Sequence, residues 1–514
     1  MVQPGEPSGR PTRTLAFVRL LRRVPHGLAW RTRRLTRPVT RPLLRYLKRM
    51  RSRSSSARRR GGSDDRSIKN AYPRASARNV HEAIDFVRGV ELGRMNSALI
   101  ERIRNETITG RPLRVALLVN DRTKWNAASL VREMRSEGWE IRLHLCLTDA
   151  QDLSLDERRS SYATERAFFA AIDPDLMDLY DPEVDQVVPV EEIDADVVFF
   201  QQPWGMKAAP RRLAGRALGA YMHYGFMLTA NHGMHYNIGT FHPYLWRYFT
   251  QTEAHRTLHL AHDPSAYDRL VVTGYPKLDV YLDADPTERI DHPIWEGPDR
   301  RAKRIIFAPH HSLGQDNLRM ATFRWTHDVM LKHAQAHPGL QWVYKPHATL
   351  RHSVVRNDVM TKEQYAAYEQ SWAQLPNATV YDSGDYFEIF RSSDVLITDS
   401  GSFLAEYLPT RNPIIWLVQA GSIGLNGVGE SLARGFYDVH DLASLDATFR
   451  SVVLEGNDPL AHVRDAGAAT LVPSGGSAAR AVVEHLRREL CDASISDSDE
   501  VADASVTGAQ CNQT

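Results

Sequence analysis

The 514 residues exceed what one ordinary core needs and suit two domains with attached segments. A hydrophobic share of 42% with 25% charged residues excludes a wholly disordered, collagen-like or polytopic membrane protein. Net charge is only +2, yet residues 1–60 hold 18 Arg and Lys against the single acid Glu6, a local +17 that leaves −15 for the rest of the chain.

That basic arm is threaded with Leu15, Phe17, Leu21, Trp30 and Leu44. Such a mixture is drawn to an anionic lipid surface, each Lys or Arg near the leaflet contributing about 1 kcal/mol. No apolar run in it reaches the ~18 residues of a spanning helix. No aromatic-basic recognition module accompanies it, so nucleic acid is not an expected partner. A solvated arm and an organellar transit peptide are the alternatives. Ser52 to Asp65 reads as a linker, and the acidic stretch 491–514 as a disordered tail. Cys146, Cys491 and Cys511 have no paired spacing, which excludes a disulfide framework or four-thiolate zinc site and suits a reducing compartment.

From Asn79 to Asn105 the apolar residues recur at helical spacing, and Gly110 with Pro112 closes the helix. A short apolar strand at 113–119, a helix at 127–136 and a strand at 140–146 make a first β-α-β unit. Further strands are expected at 195–201, 217–224 and 269–273. After the polar stretch 283–303 a second series follows at 304–308, 341–345, 379–381, 394–398 and 413–418. Strand and helix alternating twice over means two parallel-sheet α/β domains, with ligands beyond the carboxyl ends of the strands.

The loops at those ends carry the candidate chemistry. In DVLITDSGSFLAEYL, 394–408, a buried strand meets the polar turn Asp399, Ser400, Gly401 and Ser402, whose amides at a helix start suit phosphate oxygens. The plainer reading makes Ser402 an N-cap and Asp399 a turn former. Glu406, one turn on, either accepts hydrogen bonds from ribose hydroxyls or is a solvated helix residue. APHHS brings His310 and His311 past one strand, and YKPHA brings Lys345 and His347 past the next, supplying proton exchange and fixed charge. AYMHYGFML puts His223, Tyr224 and Gly225 at another strand end, followed by His232 in NHGMH. His255, His259 and His262 have metal-ligand spacing but no accompanying carboxylates, which favours core or surface roles. GSIGLNGVGE, 421–430, follows the 413–418 strand and is a second candidate lining of the cleft. Neither a GxxxxGK[ST] loop nor a GxGxxG after the first strand is present, so an ATPase or simple dehydrogenase is unsupported.

TGYPKLD (273–279), APHHS, YKPHA and FRSSDVLITDSGSFLAEYLPTRNPII (390–415) together resemble the CDP-glycerol glycerophosphotransferase family of teichoic-acid polymerases and primases. The resemblance spans roughly residues 195–435. It implies a GT-B fold, two Rossmann-like parallel-sheet domains facing across a cleft, in a peripheral enzyme of the cytoplasmic membrane face. It divides the chain into an arm (1–75), an acceptor domain with a leading helix (76–285), a nucleotide-binding domain (286–490) and a tail (491–514). The family's Lys/Arg-Pro-His histidine falls on His347 and its diphosphate turn on Ser400 to Ser402. Its His-Gly pair is replaced by Tyr224-Gly225, with His223 or His232 as substitutes.

The implied reaction carries an alditol phosphate from a CDP-linked donor to a hydroxyl of a polymeric or lipid-linked acceptor, with His223, His232 or His310 as base. No cofactor is required, and a divalent metal on the diphosphate is left open. A GT-B glycosyltransferase or epimerase using a UDP- or GDP-sugar, and a non-catalytic nucleotide-binding membrane scaffold, are the rival expectations.

Overall fold

The computed structural model describes residues 91–147, 154–236, 238–282, 290–295, 301–314, 318–382, 386–471 and 476–492. The basic arm, the first part of the leading helix, the boundary expected at 285–286 and the tail from residue 493 lie outside them.

A helix over residues 91–108 turns at Gly110, where φ is 98°, and delivers the chain to the first sheet. Its strands are β1 (Arg114–Val119), β2 (Glu140–Leu145), β3 (Met177–Asp178), then the small antiparallel hairpin of β4 (Tyr180–Asp181) and β5 (Gln186–Val187), then β6 (Val197–Phe200), β7 (Leu218–Tyr221), β8 (Arg247–Thr250) and β9 (Leu270–Val272). Outside the hairpin, the spatial order is β3-β2-β1-β6-β7-β8-β9, parallel throughout. The second sheet holds β10 (Arg304–Ala308), β11 (Gln341–Tyr344), β12 (Ala378–Val380), β13 (Val395–Thr398), β14 (Ile414–Leu417) and β15 (Tyr437–Val439). Its order is β12-β11-β10-β13-β14-β15, again all parallel. These are the two Rossmann-like sheets of the expected GT-B fold.

Period-two alternation with both faces covered explains why the central strands are apolar along their length. Val115, Leu117 and Val119 join one core, while Ala116 and Leu118 join the core on the opposite face of the sheet. In the second sheet Ile306 and Leu396 face one way, and Ile305, Phe307, Val395 and Ile397 the other.

The two sheets also start alike. Asp196, just before β6, accepts the Arg114 N–H at 3.0 Å, and Asp394, just before β13, accepts the Arg304 N–H at 2.7 Å. The same acid thus pins the central strand pair of both sheets. In each sheet the chain reverses direction across that pair, β1/β6 and β10/β13, so each has a switch-point crevice at its carboxyl end.

Two departures from the expected layout stand out. β8 was missed because Arg247 breaks its apolar run; the guanidinium donates to Nε2 of His485 at 3.0 Å and reaches Glu489 at 3.1 Å. Both partners lie on the final helix, Ala478–Leu490, assigned by sequence to the second domain. Its Val482, Val483, Leu486 and Leu490 are buried in the first sheet's core, so the chain crosses back at its end.

Candidate active site

The second switch point is built around Asp399, which has no solvent exposure. One carboxylate oxygen accepts the His310 N–H at 2.5 Å; the other accepts the N–H and hydroxyl of Thr322 at 2.6 and 2.7 Å. Burial nevertheless pushes the carboxyl up to about 6, outweighing those donors. Asp399 was expected at the substrate. Its oxygens are instead spent holding the loop after β10 to the start of the helix Phe323–Ala336.

That loop and the one after β11 bring three histidines together. Ring centroids are 4.3 Å apart for His310 and His311, 4.1 Å for His311 and His347, and 5.3 Å for His310 and His347. One ring nitrogen from each lies within 4.8 Å of the others, a spacing open to a metal ion or to phosphate oxygens. Contacts on the far side of two rings bear on the tautomer. Nδ1 of His310 takes the Ser312 N–H at 3.3 Å and has the Ser312 Oγ at 2.8 Å; Nδ1 of His347 takes the Thr349 N–H at 3.2 Å, with the Thr349 Oγ1 at 3.0 Å. Where Nδ1 accepts the backbone N–H, the proton of the neutral ring is on Nε2, a donor to an oxyanion; where Nδ1 instead donates to the neighbouring hydroxyl, the Nε2 lone pair can ligate a metal.

Both rings are held well below the usual histidine range. Packing away from water is the main cause for each, followed by His311 for His310, and by His311, His310, Lys345 and Lys124 for His347. Lys345 is buried beside them, its Nζ 5.1 Å from the Tyr386 ring centre, 5.5 Å from Tyr381 and 5.8 Å from Phe403.

The turn after β13 faces the other lobe. The helix starts at Gly401, with Ser400 rather than Ser402 at the cap position, and the Ser400 N–H goes to the Thr398 Oγ1 at 3.0 Å. A Cβ on Gly401 would lie 3.2 Å from the Thr229 Cγ2, so this glycine admits a protein neighbour where a ligand was expected. Ser402 is half-buried and meets Gly225 across the gap: a Cβ there would stand 3.6 Å from its own.

Glu406, expected either at a ribose or in solvent, does neither. It is 1% exposed, and its carboxylate meets the hydroxyls of Tyr275, at 3.0 Å, and of Tyr386, with the Lys277 Nζ 3.8 Å away. The TGYPKLD segment, with Tyr281 just after it, therefore clamps the lobes: Lys277 donates to the Tyr386 hydroxyl at 2.7 Å and Tyr281 to the Glu406 carbonyl at 2.9 Å. The glycine-rich run adds a second seam. Asn426 donates through Nδ2 to the Met227 carbonyl at 2.7 Å, and a Cβ on Gly429 would lie 2.7 Å from the Leu228 oxygen.

From the first lobe come His223 and Tyr224. His223 is buried with its Nε2 unpartnered, and burial lowers it to about 4. Its Nδ1 lies 2.8 Å from the Gly225 carbonyl oxygen and 3.1 Å from the Gly225 nitrogen. Tyr224 stacks on it with centroids 4.7 Å apart, and the Tyr224 hydroxyl is pushed up to about 12 by burial. His232 is not brought to this place; its ring neighbours are His262 and Tyr236. His255 is a satisfied core residue, bonded to the Met227 carbonyl at 2.7 Å, and His259 is buried too.

The sequence reading missed Lys124. It follows β1, its Nζ 5.6 Å from the Tyr224 ring centre, and its charge is felt at both His223 and His347. The rule that ligands sit past strand ends, applied to the loop DRTKWN, was the available signal.

A comparison with curated proteins gives no match. Among solved structures, a variant of the wall teichoic acid polymerase TagF is similar over 80% of this chain and 98% of its own, at 12% identity and TM-score 0.46. An MnaA–UDP structure from S. aureus is similar over 74% and 97%, at 13% identity and TM-score 0.48. A UDP-GlcNAc 2-epimerase from Neisseria meningitidis bound to UDP-GlcNAc is similar over 73% and 99%, at 12% identity and TM-score 0.47. Residues 227–420, which carry the clamp, the histidine cluster and the turn after β13, match the family model described as CDP-glycerol:poly(glycerophosphate) glycerophosphotransferase.

Proposed function

We propose that the chain is a transferase moving glycerol phosphate, or a similar alditol phosphate, from a CDP-linked donor to a hydroxyl of a cell-wall or surface polymer, with release of CMP. The observation that carries this reading is the meeting of His310, His311 and His347 beside Lys345 at the second switch point. In the tautomer with the proton on Nε2, His310 and His347 supply two N–H donors that, with the buried ammonium of Lys345, form a set for the non-bridging oxygens of a diphosphate. The seat thus rests on these side chains more than on the amides of residues 400–402.

In this reading the acceptor oxygen bonds to the distal phosphorus as the bond to the CMP oxygen breaks, and CMP leaves with the electron pair. Lys345 and the histidine N–H groups offset the charge that grows on the phosphoryl oxygens, so catalysis is mainly positioning and electrostatics. With its proton on Nδ1, donated to the Gly225 carbonyl, His223 leaves Nε2 as the acceptor for the hydroxyl proton. The basic arm would hold the enzyme at the cytoplasmic membrane face; deleting residues 1–60 should abolish its pelleting with anionic liposomes.

The deciding experiment offers the full chain a panel of CDP-, UDP- and GDP-linked donors and identifies the nucleotide released. CMP is expected from CDP-glycerol, and His347→Ala should lower its rate by about 10²-fold or more, the size of a lost oxyanion donor. Turnover of a UDP-sugar with CDP-glycerol inert overturns the proposal. Nucleotide binding with no turnover of any donor, unaffected by His347→Ala, would instead describe a scaffold.

A further inference from the structure

The three rings of His310, His311 and His347 have a second chemical use, because a neutral imidazole can hold its proton on either nitrogen. With the proton on Nε2 a ring donates to an oxyanion; with it on Nδ1 the Nε2 lone pair binds a metal ion. Two of the rings are equipped for the second arrangement. Beside Nδ1 of His310 stands the Ser312 Oγ at 2.8 Å, closer than the Ser312 nitrogen at 3.3 Å. Beside Nδ1 of His347 stands the Thr349 Oγ1 at 3.0 Å, closer than the Thr349 nitrogen at 3.2 Å. Metal-bound histidines are oriented by such a bond from their other N–H to an oxygen.

The backbone that carries the rings is fixed by the protein itself. Asp399 holds the His310 N–H, the Pro309 carbonyl accepts the His347 N–H at 3.1 Å, and the His311 carbonyl accepts the Ser353 hydroxyl. One ring nitrogen from each histidine lies within 4.8 Å of the others. A tetrahedral ion with bonds of about 2.0–2.1 Å to nitrogen sets its ligands about 3.3–3.4 Å apart, so modest turns of the rings close the site. Among the described residues no other three His, Cys, Asp or Glu side chains are brought together in this way.

The ligand set selects the ion. Three imidazoles without a carboxylate suit Zn2+, Co2+ or Ni2+, whereas Mg2+ and Ca2+ take oxygens. His311 and His347 are half-buried, which gives an ion a way in from solvent. The ammonium groups of Lys345 and Lys124, whose charge reaches His347, oppose a cation, so binding should be weaker than at a site with anionic ligands. We infer that His310, His311 and His347 form a site for one divalent transition-metal ion of the Zn2+ class, with a fourth coordination position open. Loaded, the cluster meets an oxyanion through the ion in place of the two N–H groups. The ion site shares side chains with the diphosphate seat proposed above, but it does not rest on the transferase reading.

The test uses the full chain without an affinity tag, stripped of metal by a chelator and titrated with Co2+, whose visible absorption intensifies when four ligands enclose it. An absorption that saturates at about one equivalent, survives excess Mg2+ and is bleached by Zn2+ is expected. His311→Ala and His347→Ala should each weaken Co2+ binding by about 100-fold or more, while His262→Ala, an exposed ring elsewhere, should leave it unchanged. Thr349→Val keeps the backbone N–H but removes the hydroxyl, and by favouring the proton on Nε2 should weaken binding about tenfold. A parent spectrum no different from that of free Co2+, or an absorption kept in both histidine variants, overturns the inference. Thermal melting without metal checks that each variant folds; should His347→Ala fail, His311→Ala and Thr349→Val decide by the same titration. A chain that takes up Co2+ in this way yet consumes no nucleotide-linked donor would remove the transferase reading and leave the ion site. A chain that releases CMP but never colours would do the reverse.

Discussion

A carboxylate deep in a protein binds a ligand only if its oxygens are not already spent, and those of Asp399 are. Asp399→Asn keeps the shape but turns an NH2 group toward backbone donors. We expect a loss of about 2–3 kcal/mol in urea unfolding, the cost of leaving buried donors unmet. The pH signature is separate. Because the folded carboxyl sits near 6, above its ordinary 3.8, its contribution is complete below about 4 and is lost as pH rises through 6. That decline should vanish in the Asn variant, and an unchanged stability–pH curve between 4 and 6 would count against the assignment. From the sequence one could see a small polar turn past a strand, but not the direction of this side chain. Its second partner, Thr322, is 77 positions away.

Among the elements, the segment from Thr273 to Asp279 joins three parts of the molecule. Tyr275 and Lys277 reach Glu406 and Tyr386, while Asp279 caps the final helix, accepting the N–H groups of Ala478 and Ala479 at 2.9 Å each and the Ser477 hydroxyl at 2.8 Å. Asp279→Ala should cost about 1–2 kcal/mol, as for other lost N-caps. Amides of residues 482–490 should exchange faster with solvent; unchanged protection there would mean that packing alone holds the helix. The strands on the site's side of each sheet were legible, because strands buried on both faces must be apolar throughout. β8 and β15 were not, since Arg247 and Asp438 interrupt their runs. The histidine cluster was half legible: both loops were visible, but their meeting depends on the pairing of β10 with β11.

At the scale of the molecule, several of the described histidines are kept neutral by burial. His223, His255 and His259 are lowered to about 4, and His242 and His485 to about 3. Each stays uncharged when folded and takes up a proton on unfolding, so the stability it supports is complete above about 6.5 and drains away as pH falls toward those values. Each such ring should take up about one proton per unfolding event near pH 5, worth ~1.4 kcal/mol per pH unit. Urea midpoints at pH 7, 6 and 5 measure this directly. The Asp399 slope runs the other way but comes from a single group. A midpoint constant down to pH 5 would show that these rings are reached by water.

The crossing-back of the helix Ala478–Leu490 bears on how the protein is made. On a ribosome the strands of the leading sheet emerge long before the residues of the helix Ala478–Leu490, which cover one of its faces. That face must wait, uncovered or chaperoned, until those residues emerge, whereas the later lobe can close as soon as its own strands appear. Emergence of residues 478–490, rather than of the leading strands themselves, is then the moment at which the first core can close.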